Sequence, residues 1–287
     1  MSALLIDVSF LIVDYKALLP LRRLLDSAYE KTEGIRYEIV VTDNSEYDKS
    51  SFFRENYPDI RYINNKTNLG FSKAVNIGIW QCTGKYILLL NPDTRLKNNV
   101  ALLLARYLDN QPDVGIVGSR ILNDDESLQF SCRSFPSYKT AFFHRYSLLT
   151  KLFPKNKYSN EYFNPVGSYD KPVEVDWLSG SCMMIRKQAL DAVGLFDENF
   201  FMYCEDVDIC RRMKSHGWKI VYYPEAVIYH SIGKSSSQNK MKAIRERHKS
   251  MWVYYKKHFK RHKTIDIIIW FGIIARCVSR LIVALFQ

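Results

Sequence analysis

The segment "KYILLLNPDTRL", Lys85 to Leu96, joins five consecutive apolar residues to an amide, a proline and an acid. Tyr86–Leu90 has the length and two-sided apolarity of a strand buried within a sheet. Pro92 has no amide hydrogen and cannot extend a central ladder, so pairing stops there. Asn91 and Asp93 therefore leave the core together at the strand's carboxyl end. A turn accounts for such residues. A ligand site accounts for them too, and the neighbouring segments arbitrate.

Outward from this strand the first half of the chain alternates. Val8–Val13, Tyr37–Thr42, Ile60–Asn64, Tyr86–Leu90 and Val114–Gly118 read as strands. Leu18–Lys31, Phe71–Gln81 and Asn98–Leu108 read as helices. Short apolar runs alternating with helical segments predict an α/β fold, a mostly parallel sheet flanked by helices. In such sheets ligands bind at the carboxyl ends of the strands. Four successive strand ends carry ligand-competent groups: Asp14 and Tyr15; Asp43, Asn44 and Ser45; the run "NNKTNLGFSKAVNIG"; and Asn91-Pro92-Asp93. Parallel strands would set all four along one rim, which weakens a turn-only reading of each.

From Asp124 to Pro172 the periodicity is weak, and the segment reads as long loops able to shape a pocket or lid. Order returns with Met183–Arg186 as a strand and Lys187–Val193 as a helix. Glu205–His216 is a second helix stopped by Gly217, and Lys219–Tyr223 and Val227–His230 are strands.

The chain has 287 residues and a formal net charge of +11. The stretch from Lys234 onward holds 13 of the 41 Lys and Arg but only 2 of the 30 Asp and Glu, so the body before it is neutral. Residues 1–233 therefore read as one domain and 234–287 as a basic, aromatic and apolar helical tail. Such tails meet phosphates, in nucleic acid or on membranes. The tail carries no nucleic-acid reading motif and the neutral body offers no basic groove, which argues against nucleic acid. Six scattered cysteines show no metal-finger or C-x-x-C spacing and read as reduced thiols of a cytosolic protein. "MSALLIDVSFLIVDY" lacks a basic leader and is broken by Asp7 and Asp14, so it reads as a first strand and not a signal peptide.

The chemistry of these residues suits a phosphorylated ligand. Asp93 with a diphosphate fits a divalent cation, Mg²⁺ or Mn²⁺, which commonly takes one or two carboxylates plus substrate oxygens. Asp43 is placed to accept hydrogen bonds from a nucleoside. The run containing Asn68, Gly70, Phe71, Lys73 and Asn76 offers amides and a cation near a helix start. No Walker loop or GxGxxG is present, and Val8–Leu19 has no glycine, which disfavours a nucleotidyltransferase. Glu205 and Asp206 open a helix, where acids are favoured electrostatically. They also follow the aromatic run "FFMYC", where burial raises a carboxyl pKa toward that of a general base. His230 is a metal ligand or a satisfied polar strand end. Trp177, with Ser179 and Gly180, floors a sugar pocket or is a core Trp before a turn.

The motifs "VSFLIVDY", "VVTDNSEYD", "NKTNLGFSKAVNIGI", "LLLNPDTRL", "WLSGSCMMIRKQAL" and "GLFDENFFMYCEDVDICRRMKSHGWKIVYYPEAVIYH" together resemble family 2 glycosyltransferases of GT-A fold. They are most similar to the rhamnosyltransferase-like branch that builds bacterial cell-surface polysaccharides. The resemblance runs from about Val8 to Ser236. It implies a nucleotide-sugar donor and a divalent cation (Mn or Mg). Asp93 is implied as metal ligand with His230, Asp43 as the nucleotide-binding carboxylate and Asp206 of the Glu205–Asp206 pair as catalytic base. Asp14, Tyr15, Asn44 and Asn91 complete the donor rim. The implied reaction is inverting transfer, with L-rhamnose from dTDP-rhamnose as the expected donor. UDP-galactofuranose, UDP-glucose or UDP-N-acetylglucosamine, or an inactive sugar-nucleotide-binding scaffold, are the alternatives. Two departures stand out: Asp14-Tyr15-Lys16 where the family usually has Asn-Tyr-Asn, and Asn91 in place of the first acid of the Asp-x-Asp element.

The last run, "TIDIIIWFGIIARCVSRLIVALFQ", has the length of a membrane span but is interrupted by Asp266, Arg276 and Arg280. Mid-span charges are costly, so an amphipathic helix in the membrane interface is expected, with basic residues from Lys240 to Lys263 on anionic headgroups. That places the protein peripherally on the cytoplasmic face of the plasma membrane, beside a lipid-linked saccharide acceptor. A homo-oligomer contact is the other use of the same helix.

Overall fold

In the computed structural model, residues 6–137, 169–231, 240–260 and 262–286 are described. Most of the loop segment expected to shape a pocket or lid, at positions 138–168, lies outside them. The strands are β1 (Val8–Asp14), β2 (Tyr37–Asp43), β3 (Arg61–Asn64), β4 (Tyr86–Leu90), β5 (Thr94–Leu96) and β6 (Val114–Leu122). They are followed by β7 (Leu128–Gln129), β8 (Cys132–Arg133), β9 (Val173–Glu174), β10 (Trp177–Leu178), β11 (Cys182–Arg186) and β12 (Lys219–His230). The helices are α1 (Leu18–Lys31), α2 (Ser50–Asn56), α3 (Phe71–Ile79), α4 (Val100–Asn110), α5 (Lys187–Val193), α6 (Glu205–Ser215), α7 (Lys240–His258) and α8 (Lys263–Leu285).

The main sheet runs β3-β2-β1-β4-β11-β6-β12-β5. Its first four strands are parallel, as their helix-alternating sequence predicts. β11 then enters antiparallel between β4 and β6, with Cys182 opposite Leu90. This reversal was invisible in the short, mostly apolar run CMMIR, yet it matters for the site. It brings the start of β11, and the turn before it, to the carboxyl end of β4. β12 is one strand with an irregularity between Tyr223 and Val227 instead of two strands.

Side chains of the central strands alternate between two cores. Phe10, Ile12, Leu88 and Leu90 face α1 and α4 residues such as Leu21, Leu25 and Leu104. Leu11, Val13, Ile87 and Leu89 face α3, α5 and α6 through Val75, Leu190 and Ile209. Every residue of β1 and β4 is buried, so truncating one such Leu to Ala costs about 2–5 kcal/mol.

The termini of the helices are locally specified. Asp14 Oδ1 accepts the Ala17 amide at the entrance to α1, and Asn99 Oδ1 accepts Leu102 N at the start of α4. Gly217 ends α6 in the left-handed region, with φ +85°.

The basic tail is not one uniform arm. α7 lies on the α/β body, with Tyr254 buried in the core beside α6. α8 packs on α7. The interrupting charges of α8 lie on the shielded side: Asp266 is buried and accepts the Tyr255 hydroxyl at 2.8 Å, and Arg276 and Arg280 are half-buried. Ile267, Ile268, Trp270, Phe271, Val278 and Ile282 are exposed.

Candidate active site

The rim predicted from sequence is present. Parallel pairing sets Asp14 opposite Asp43 and Asp43 opposite Asn64. Backbone bonds then stitch the loops together: Asn44 N to Asp14 O and Asn65 N to Asp43 O, both at 2.8 Å.

Beneath the β1–β2 end of the rim lies a charge cluster that the sequence did not announce. Lys49 Nζ binds Asp14 Oδ2 at 2.5 Å and Asp43 Oδ2 at 2.8 Å, and Asp43 also accepts the Tyr62 hydroxyl and the Ser45 amide. Asp14 and Asp43 are 0% exposed and Lys49 6%. Burial pushes the Asp14 carboxyl above its ordinary value, and Lys49 offsets only part of that. Burial by itself would lower Lys49, but Asp14 and Asp43 overcome it and hold the ammonium above its ordinary value. Lys49 sits just before α2 in "EYDKSS" and carries no periodic signal. Lys16 takes φ +55°, a region where Asn is at ease and Lys is strained. Tyr15 is half-buried beside it.

The second loop forms an amide network. Asn44 Nδ2 donates to Gly70 O, Asn65 Nδ2 to Asn44 Oδ1, and Gly70 N to Asn68 Oδ1. Gly70 is required twice over: its φ is +88°, and a Cβ would lie 2.7 Å from Phe201 O. Phe71 N donates to that same oxygen, so this loop abuts the segment leading into α6. Lys73 is exposed on the first turn of α3. Asn76 points elsewhere, its amide bound on both sides to the Phe196 backbone and to Glu198.

At the end of β4, Asp93 Oδ1 faces His230 Nε2 across 3.4 Å. Gln129 fixes the ring. Its Nε2 donates to Asn123 Oδ1 and His230 O, which leaves Oε1 to accept from His230 Nδ1 at 2.7 Å. This contact holds Nδ1 on the Gln129 side and turns Nε2 toward Asp93, the ring orientation that a metal-ligating imidazole needs. Among the described residues no third His, Cys, Asp or Glu joins them; such a pair fits a cation that draws its other ligands from a substrate.

The turn Ser179-Gly180-Ser181 joins this end to Asp206. Asn91 N donates to Ser181 O, and Gly180 N donates to Asp206 Oδ2 at 3.2 Å. Val207 N donates to the other oxygen of Asp206 at 2.8 Å. Burial raises the Asp206 carboxyl above its ordinary value, with the two amides and Arg133 pulling back. Glu205 is more deeply buried, and burial then the Asp206 charge push it well above its ordinary value. Trp177 is 8% exposed, donates to Ser134 O and carries Arg133 over its ring at 5.5 Å. It is a core side chain beneath the turn. Arg133 and Gln129 lie in a region of weak periodicity and were not singled out from sequence.

Comparison with known proteins agrees with this arrangement. A family model described as "Glycosyltransferase like family 2" matches residues 7–260. The N-acetylglucosaminyl-diphospho-decaprenol L-rhamnosyltransferase of Mycobacterium tuberculosis H37Rv is 30% identical over 212 residues, 70% of this chain and 68% of that protein. Rhamnosyltransferase WbbL of Escherichia coli K12 is 27% identical over 263 residues, 86% of this chain and 92% of that one. Among solved structures, mannosyltransferase PcManGT from Pyrobaculum calidifontis, in complex with GDP-Man and Mn2+, has a TM-score of 0.57 at 15% identity. That likeness covers 98% of this chain and 75% of the other. GalNAc-T7 with UDP, GalNAc and Mn2+ has a TM-score of 0.59 at 15% identity, over 80% of this chain but 44% of its own. These likenesses establish the GT-A arrangement of sheet and helices.

Proposed function

This chain belongs to glycosyltransferase-like family 2, and we propose that it transfers L-rhamnose from dTDP-rhamnose, with inversion, to a lipid-linked saccharide diphosphate. The observation that carries this reading is the continuous path from Asp93 and His230 through Asn91 and the Ser179–Ser181 turn to Asp206. It brings Asp93 and His230, read here as the cation ligands, onto one rim with the buried carboxylate read as the base, and this supports the reading. The names of the mycobacterial and Escherichia coli relatives both support rhamnose as the transferred sugar, and the mycobacterial name supports a lipid-diphosphate acceptor.

In this mechanism the nucleoside lies over the rim formed by Asp14, Tyr15, Asp43 and Asn44, and the exposed Lys73 ammonium on the first turn of α3 meets donor oxygens. Asp93 and His230 would hold Mg²⁺ or Mn²⁺, which supplies charge neutralisation for the departing diphosphate. Asp206 Oδ accepts the proton of the acceptor hydroxyl. The hydroxyl oxygen forms its bond to the anomeric carbon as the bond from that carbon to the diphosphate oxygen breaks, and dTDP leaves with the electron pair. The Gly180 and Val207 amides hold the carboxylate in place for this transfer.

Residues 1–233 carry the chemistry and 234–287 bring it to the bilayer. An interfacial helix needs an apolar face for the lipid and a covered polar side. α8 has both, since Asp266 is buried while Ile267, Ile268 and Phe271 are exposed. The bilayer is the cytoplasmic leaflet of the plasma membrane, where nucleotide sugars and lipid-linked acceptors meet.

The test is thermal stabilisation and donor turnover across dTDP-, UDP- and GDP-sugars, with and without Mn²⁺ or Mg²⁺. Metal-dependent stabilisation by dTDP-rhamnose and its transfer to a prenyl-diphosphate saccharide are expected. Asp206→Asn retains donor binding and loses transfer. Preference for a UDP-sugar would replace the donor, and no response to any donor would overturn the reading.

A further inference from the structure

The two residues before the Glu205–Asp206 pair are strained. Tyr203 and Cys204 take φ +73° and +67°, the left-handed region that is unfavourable for a non-glycine residue. Such a conformation persists only where surrounding groups enforce it. Here the enforcing groups come from one face of α7. Arg247 stacks on the Tyr203 ring at 4.4 Å. Ser250 Oγ donates to Met202 O at 2.9 Å. One turn further, the Tyr254 hydroxyl accepts Arg211 Nη1 at 3.0 Å. Next, Lys257 Nζ and His258 Nε2 reach Asp208 Oδ1 at 2.9 and 2.6 Å. Positions 247, 250, 254, 257 and 258 repeat every three or four residues and so share a helix face. That face lies along the whole run from Met202 to Arg211.

Asp208 is the anchor of this contact. It is 0% exposed and also accepts Arg212 Nε at 2.9 Å. Burial alone would raise its carboxyl, but His258, Lys257 and Arg212 overcome it and hold it at about 2. The carboxylate is thus ionised and tied, two residues beyond Asp206 on the same first turn of α6.

We infer that α7 is a positioning element for the catalytic carboxylate: Ser250, Lys257 and His258 hold the Met202 carbonyl beside the strained Tyr203–Cys204 backbone and Asp208, and thereby aim Asp206 at the acceptor hydroxyl. The basic residues of α7 are then divided in function. Those on this face serve the active site, and the remainder are left for headgroups. This rests on the reading of Asp206 as base, so the experiment needs an arm that does not depend on chemistry.

That arm is amide hydrogen exchange on the full chain. Lys257→Met with His258→Ala, and separately Ser250→Ala, are expected to speed exchange in residues 202–208 while β1 and β4 keep parental protection, which certifies the fold. In transfer assays the same variants lose about 10- to 100-fold in kcat with donor KM changed less than two-fold. Lys257→Arg with His258→Gln, which retains donors toward Asp208, restores both readouts. Unchanged exchange in residues 202–208, unchanged kcat despite faster exchange, or equal losses in donor binding and kcat would each overturn the inference. Full turnover by Asp206→Asn would overturn the base assignment instead, and the exchange arm would still decide whether α7 orders the segment.

Discussion

Replacing Lys49 by Met removes the cation that bridges Asp14 and Asp43, both 0% exposed. Asp43 keeps the Tyr62 hydroxyl and the Ser45 amide, whereas among the described residues Asp14 keeps only the Ala17 amide, so Asp14 bears most of the loss. Breaking a buried pair by removing one partner costs about 3–5 kcal/mol. Protonation limits that cost. Neutralising a carboxyl of ordinary value 3.8 at pH 7 takes roughly 4 kcal/mol at 1.36 kcal/mol per unit. The expected destabilisation at pH 7 is therefore about 3–4 kcal/mol.

The escape route fixes the sign of the pH dependence. Asp14 is already raised by burial, and without Lys49 it rises further. The folded variant then binds a proton that the unfolded chain has released, so its stability falls as pH rises from about 4 to 7. Urea unfolding followed by tryptophan fluorescence measures this. With a slope of roughly 3 kcal/mol per molar, the midpoint drops by about 1 M at pH 7, and most of the difference from the parent closes by pH 5. The triple variant Asp14→Asn, Asp43→Asn, Lys49→Met leaves no uncompensated charge and recovers most of the loss. A midpoint equal to the parent's, or a loss independent of pH, would refute the reasoning.

Three further outcomes are expected. Because burial raises Asp206 and a base must be ionised, kcat falls on acidification with a limb above the ordinary carboxylate value of 3.8; a profile flat down to pH 4 would contradict this. Asp208, held at about 2, contributes roughly 2 kcal/mol above pH 4 that vanishes as pH falls toward 2. Melting curves of Asp208→Asn should therefore differ from the parent's at pH 7 and converge on it near pH 2. Gly70→Ala meets both a positive φ and Phe201 O at 2.7 Å, so a melting temperature lower by ~5–10 °C is expected, corresponding to about 2–3 kcal/mol, together with weaker donor binding in a titration.

The sequence made the parallel half of the sheet legible because β1 to β4 each end in a polar group immediately after an apolar run. Asp14, Asp43, Asn91 and Asp93 could therefore be placed on one rim before any coordinates. Helix α2 was missed because "SSFFREN" is too short for a 3.6-residue period to assert itself, and with it went Lys49. The antiparallel entry of β11 was missed because a fully buried strand looks the same in either direction. The strain at Tyr203 and Cys204 left no mark, since it is imposed by residues more than forty positions away on α7. The charges of α8 were read as interruptions because hydropathy does not reveal which side of a helix a neighbour covers.

The antiparallel strand also sets an order of events in biosynthesis. β4 pairs with β1 as soon as both exist, but its other edge is satisfied only by β11, 92 residues after Leu90 in the pairing of Cys182 with Leu90. At ribosomal rates of about 5–20 residues per second, the backbone of Tyr86–Leu90 stands as an open, wholly apolar edge for roughly 5–20 s. Such an edge is a template for pairing with another chain. Nascent chains of this protein therefore have a defined interval in which chaperone cover matters most, and a fragment ending anywhere before Cys182 would carry that sticky edge permanently.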